Sequence, residues 1–316
     1  SHIAHFYPNA LDDEELMGHI LSCFGPNQHC PTTHTGTLVE TQAPSDSQTS
    51  TVTTSVAPTD TADTGSPPIP GLAVVTASPL PGLFVKRVEV LLSTSVDATI
   101  YYSLERDGQT PFSTYTEPII LTESTLLHVY ASAENTISEV STTAYVLVDE
   151  EVSAFTSDIP VMFISGHQQI SDNPDVERVP TAMVVVEPNK STPLTARAGI
   201  KVRGSSSSGH PKKPYALETW ESLENEDKDI TLLDFPSDSD WVLYAPVVYD
   251  RALMRNSLMY ALSNNINRYA PRTRFIELFV VDNSDAVQMK HYVGVYAVIE
   301  KIKRGGDRVD VVNLDA

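Results

Sequence analysis

Between Phe84 and Val148 apolar and polar positions alternate in short runs, at 84–94, 98–105, 117–122, 125–133 and 141–148. Val88, Val90 and Leu92 alternate with Glu89, Leu91 and Ser93, and Ile100 and Tyr102 flank Tyr101. A period of two is the signature of a strand with one buried face. Asp107-Gly108 is a tight-turn dipeptide between two such runs. Regular short strands over 71–148 predict a small antiparallel β-sandwich.

After an acidic hinge at Asp149, Glu150 and Glu151 the pattern changes. Apolar runs at 159–165, 181–187, 194–204, 212–220 and 240–246 predict strands, Asp250 to about Asn265 a helix, and 272–282 with 291–300 a final strand pair. This mixture predicts an α+β domain over 155–316. Upstream, 11–24 reads as an amphipathic helix with Leu11, Leu16, Ile20, Leu21 and Phe24 on one face and Asp12 to Glu15 in its first turn. Residues 31–70 are Thr, Ser and Pro with almost no large apolar side chain, which predicts a disordered linker, glycosylated or bare. The expected architecture is therefore multidomain: an upstream tail at 1–30, a Ser/Thr/Pro linker at 31–70, the sandwich at 71–148 and the α+β domain at 155–316.

Composition sharpens the picture. Of 316 residues 41% are hydrophobic, enough for sizeable cores, and the mean hydropathy of -0.14 with no long apolar run excludes a helical membrane span. A net charge of -20 argues against nucleic acid as a partner of the whole chain. The charge is uneven: residues 1–196 carry 5 basic and 24 acidic side chains, residues 197–316 carry 16 and 17. If any part of the chain handles an anion such as a nucleotide, it is residues 197–316. Cys23 and Cys30 enclose a short loop and would pair in an oxidising compartment or stay as thiols. With neither an initiator Met nor a signal peptide, the chain reads as part of a longer protein.

The candidate chemistry lies in three strings. Gly204, four serines and Gly209 form a small-residue loop between two strands, flanked by Arg203, Lys212 and Lys213. Backbone N–H groups there can approach a phosphate without Cβ obstruction, and the cations neutralise it. The loop copies the glycine spacing of a P-loop, but His210-Pro211 follow where Lys-Ser/Thr and a helix are needed. In the second string Asp250 stands where a helix cap would stand, with Arg251 and Arg255 four apart on one helix face. In the third, Glu300 ends an apolar strand, an unusual place for a carboxylate unless it is paired, and Lys212 or Lys213 is the expected partner.

Three resemblances follow from these residues. Residues 1–24 resemble the last strand and helix of a laminin-G or concanavalin-like lectin domain. Pro81-Gly82-Leu83-Phe84, Ala98 to Ser103, Asp107-Gly108, Tyr115 to Ile119 and Thr125 to Ala131 resemble the chitobiase/β-hexosaminidase C-terminal-type domain, an accessory module of secreted proteins. Pro160-Val161, Arg203 to Tyr215, Asp240 to Asn256, Ala270 to Leu278 and Gly294 to Val309 resemble, in order, five motifs of the CotH kinase family. Ser205, where that family often has Asn, and the connector at Val281-Asp282-Asn283 depart from its pattern.

The CotH resemblance implies an atypical protein kinase that transfers the γ-phosphoryl group of ATP, with Mg or Mn, to a protein Ser or Thr. Arg203 and Lys212 or Lys213 would hold phosphates, Glu300 would orient the lysine, and Arg251 and Arg255 would brace the site. No catalytic or metal-binding residue is expected within this span, because the family's catalytic aspartates lie beyond the Gly294–Val309 motif; the fragment alone is expected to be inactive. The resemblances also imply secretion or a cell-surface location, with carbohydrate or surface contacts through the accessory modules. The alternative is a non-catalytic adhesin or coat protein that uses the same fold as a scaffold.

Overall fold

A computed structural model describes residues 74–105, 111–133, 136–221, 223–247, 250, 252–282 and 285–311. The helix expected at 11–24, the Cys23–Cys30 pair and the linker at 31–70 lie outside the described residues. All the described residues belong to one compact unit, Pro70–Ala316.

Its first part is a β-sandwich. One sheet has the order β1 (Val75–Ser78), β3 (Val88–Thr94), β6 (Ile119–Leu121). The other runs β2 (Gly82–Val85), β9 (Ser141–Val148), β7 (Thr125–Ala133), β4 (Thr99–Glu105), β5 (Ser113–Thr114), with β8 (Thr136–Ile137) paired to β7. The alternation in β3 works as its period requires: Val88, Val90 and Leu92 are buried while Glu89, Leu91 and Ser93 are exposed. They meet Ile100, Leu121, Leu127, Val129, Tyr145 and Leu147 between the sheets. At the hinge, Asp149 caps a single turn, α1 (Glu150–Ser153), by accepting from Val152 N at 2.8 Å.

The second part is not the α+β kinase-like domain that the pattern predicts. It is a closed seven-stranded barrel: β10 (Val161–Gly166), β11 (Val179–Val186), β12 (Leu194–Val202), β13 (Tyr215–Trp220), β14 (Asp240–Tyr244), β16 (Tyr292–Glu300) and β15 (Thr273–Val281), in that order around the wall. Parallel pairing of β15 with β10, from Val161 opposite Glu277 to Ser165 opposite Val281, closes it. Closure leaves no strand edge in the wall. The sequence already supplies enough apolar strand to build a core with no helical layer. Met162, Ile164, Met183, Ile200, Leu217, Trp241, Leu243, Ile276, Tyr296 and Val298 fill the interior. The expected helix is shorter than predicted, α2 (Arg255–Asn265), and buries only Ser257, so it decorates the barrel instead of forming a layer.

Sandwich and barrel share a third core. Val161, Phe163, Ala182, Val184, Phe279 and Val281, on the outer face of the barrel, pack with Leu126, Ala144, Val146 and Val148 of the sandwich. That explains why β10 and β11 read as near-continuous apolar runs: both of their faces are covered.

Candidate functional site

The small-residue loop closes where Arg203 N donates to Pro214 O at 2.9 Å, just beyond the ends of β12 and β13. A 3-10 turn, Ser207–Gly209, shapes its tip, and Ser208 Oγ donates to Ser205 O at 2.8 Å. Gly204 has φ +94, so its backbone calls for glycine, while a Cβ there, 2.1 Å from Ser207 Oγ, would have that hydroxyl rotate away. Arg203 is exposed beside the loop.

The two adjacent lysines diverge, as neighbours on an extended segment must. Lys213 Nζ donates to Ser208 O at 2.9 Å and faces Asp172 at 3.1 Å. Lys212 Nζ turns the other way, donates to Val295 O at 2.5 Å and lies 4.7 Å from the centre of the Tyr296 ring. Burial lowers its pKa, against the pull of Glu277.

Lys213 lines a recess of about 480 Å³ at this end of the barrel, with Asp172, Val202, Tyr215, Asp282 and Val293. Tyr296 supports it from below: its hydroxyl donates to Lys213 O at 2.8 Å and its ring stacks on Tyr215. Burial, with Asp282 and Asp172 adding, pushes the Tyr215 hydroxyl up to about 12. Asp172 escaped the sequence reading; its only signal is a turn-forming Ser-Asp-Asn-Pro run between two strands.

Glu300 is elsewhere. It ends β16, seven residues beyond Val293, which at a strand's rise is about 23 Å from the recess wall. The expected pairing with Lys212 or Lys213 does not form. Glu300 accepts from Arg272 N and Nε, each at 2.8 Å, and from Arg308 NH1 at 2.5 Å. Arg308 also reaches Asp238 at 3.0 Å, Lys303 faces Asp238 at 2.6 Å, and Lys301 donates to Asp240 at 2.7 Å. Burial pushes the Asp240 carboxyl up, but Lys301 and Lys303 overcome it and hold its pKa below the usual range. Charges scattered over 238–308 thus converge into one ion cluster of three carboxylates and four cations. Arg272 and Arg308 lay inside the quoted motifs, but no spacing singled them out as the partners of Glu300.

Arg255 pairs with Asp250. Its N donates to Asp250 Oδ2 at 2.8 Å and its Nε lies 3.5 Å from Asp250 Oδ1, so Asp250 holds the start of α2 from five residues upstream. Arg251 lies outside the described residues. Of the predicted site residues the structure therefore places Lys213 on the recess wall and the Arg203 backbone at the base of the loop, points Lys212 at the adjoining strand, and pairs Arg255 and Glu300 with other residues. Among the described residues no three His, Cys, Asp or Glu side chains converge on a metal-sized centre, and no helix is long and apolar enough to cross a membrane.

No curated protein matches the chain. The barrel begins at Val161, but the family match begins later, just before the serine loop. Residues 200–315, which carry that loop, Lys213 and the ion cluster around Glu300, match the family described as CotH kinase protein.

Proposed function

We propose that the barrel binds a nucleoside triphosphate at the recess and presents it for phosphoryl transfer to a Ser or Thr hydroxyl of a protein, with ATP as donor and Mg or Mn as the accompanying ion. The observation that carries this reading is the position of Lys213, on the recess wall and hydrogen-bonded to the tip of the serine loop. The residues suit the ligand. About 480 Å³ falls within the range of small-molecule sites, roughly 300–1,000 Å³. Lys213 supplies positive charge, Arg203 adds a second cation beside the loop, and glycine and serine leave the backbone accessible to phosphate oxygens. Asp172 and Asp282 are the carboxylates at hand for the ion, which in such sites takes one or two carboxylates plus phosphate oxygens. When bound, the ion offsets phosphate charge. The chain's own residues bind and orient, and the protonated Tyr215 hydroxyl offers a donor at the wall. No described side chain is assigned the proton-accepting role.

The same reading takes the protein as secreted or displayed at a cell surface, with the sandwich as a chitobiase-type accessory module. The commitment of Glu300 to two arginines favours a second reading, a scaffold that binds ligand without transferring phosphate, as in an adhesin or coat protein.

Titration of the chain with ATP and Mg or Mn tests the first reading. Lys213→Met should weaken binding about tenfold or more, since a hydrogen bond to a charged group is worth about 1.5–3 kcal/mol. Equal affinity for the wild-type chain and Lys213→Met removes the recess as the nucleotide site. Because this span alone is expected to be inactive, transfer of labelled γ-phosphate to protein by the full-length protein is what separates the kinase from the scaffold.

A further inference from the structure

The hairpin turn between β11 and β12 carries Asn189-Lys190-Ser191-Thr192, and all four residues are exposed. Asn189-Lys190-Ser191 is an Asn-x-Ser acceptor triplet. Of the twelve asparagines in the chain it alone has Ser or Thr two positions on: Asn135 is followed by Ile137, Asn256 by Leu258 and Asn283 by Asp285, and the rest fail likewise. The turn is held by its middle residue. Lys190 Nζ lies 2.8 Å from Glu187 and 3.0 Å from Asp234, and Lys190 N donates to Glu187 O. Asn189 and Ser191, on either side, stay at the tip.

We infer that Asn189 is the acceptor of an N-linked oligosaccharide, an inference that rests on the secretory reading above. The donor is an oligosaccharide joined through a pyrophosphate to a lipid. The Asn189 amide nitrogen forms a bond to the anomeric carbon, the bond from that carbon to pyrophosphate oxygen breaks, and the amide gives up one proton as the lipid pyrophosphate leaves. No oxidant or reductant is needed.

The position suits a bulky group. The recess lies at the far end of β12: from Leu194 at its start to Val202 on the recess wall is about 26 Å of strand. A glycan at the tip adds bulk and solvation to a turn and leaves the recess and the serine loop uncovered.

The test is expression of the whole chain behind a cleavable signal sequence in a eukaryotic cell, with intact mass measured before and after peptide-N-glycosidase. One enzyme-sensitive glycan is expected on the wild-type chain, none on Asn189→Gln or Ser191→Ala, and retention on Ser191→Thr. Chain retained inside the cell is digested and weighed as well, so poor folding of a variant does not hide its glycan. An unmodified wild-type chain, or a glycan that survives Asn189→Gln, overturns the inference. Fractionation of the native host tests the secretory reading separately: a chain that accepts the glycan here but stays in the host's cytosol would sink that reading and leave the acceptor assignment intact.

Discussion

Arg197 of the barrel and Glu105 of the sandwich face each other as a bidentate pair, with Nε to Oε2 and NH2 to Oε1 both at 2.9 Å, and neither is exposed by more than 6%. His128, fully buried, adds a contact to Glu105 Oε2 at 3.2 Å and is itself held by Thr142. Arg197 also donates to Asn225 at 2.7 Å and stacks on Trp220. The pair spans the boundary between the two β-parts, above the core they share.

Breaking this pair from one side should be costly, because the remaining charge stays buried without its counterion. Arg197→Met or Glu105→Gln is expected to lose about 3–5 kcal/mol in urea unfolding, while the double variant should recover part of that loss. Sandwich and barrel should melt together in the wild-type chain. Two separate transitions would mean the shared core does not couple them.

The same pair predicts an acid limb. Burial raises the Glu105 pKa, but hydrogen bonds from His128 and Arg197 and their charges overcome it and hold it at about 2, against 4.5 ordinarily. A carboxyl depressed by folding contributes stability that is full above its unfolded value and fades as pH falls toward its folded value. On the order of 3 kcal/mol should therefore be lost between about pH 4.5 and pH 2. Glu105→Gln should show a flatter slope over that window. Parallel acid limbs for the two proteins would refute the assignment.

Lys212 and Lys213 should separate by function. Lys212 caps Val295 O and rests on Tyr296, so Lys212→Met should lower stability and leave nucleotide affinity near wild type, the reverse of Lys213→Met. Because Glu300 is about 17 Å along β16 from Val295, changes at Glu300 and at either lysine should add within about 0.5 kcal/mol. Coupling beyond that in a double-mutant cycle would restore the direct pairing that the motif order suggests.

Gly199 sits where β12 passes under the Trp220 ring. A Cβ there would stand 2.0 Å from Trp220 Cζ2, so Gly199→Ala must push the indole away and disturb its stacking with Arg197. Thermal unfolding should register a loss of about 1–3 kcal/mol, the usual cost of overpacking. A neutral outcome would show that the ring can tilt freely at this point.

The alternation at Val88, Val90 and Leu92 was enough to place β3 with its buried face, because a strand's period is local and needs no partner to be read. Gly204 and the four serines were equally legible as a loop between strands, since small residues there fit no helix or strand pattern. Which strand lies beside which was not legible. Val161 opposite Glu277 closes the barrel across more than a hundred residues, and periodicity states which face is buried but not by what. An apolar wall without a helical layer therefore read as α+β. Glu300 was marked by its place at the end of an apolar strand, but the choice among Lys212, Lys213, Arg272 and Arg308 depended on which end of the barrel each reaches. Glu105 and Arg197 are ninety-two positions apart and match no motif; only the packing of one β-part on the other brought them within hydrogen-bond distance.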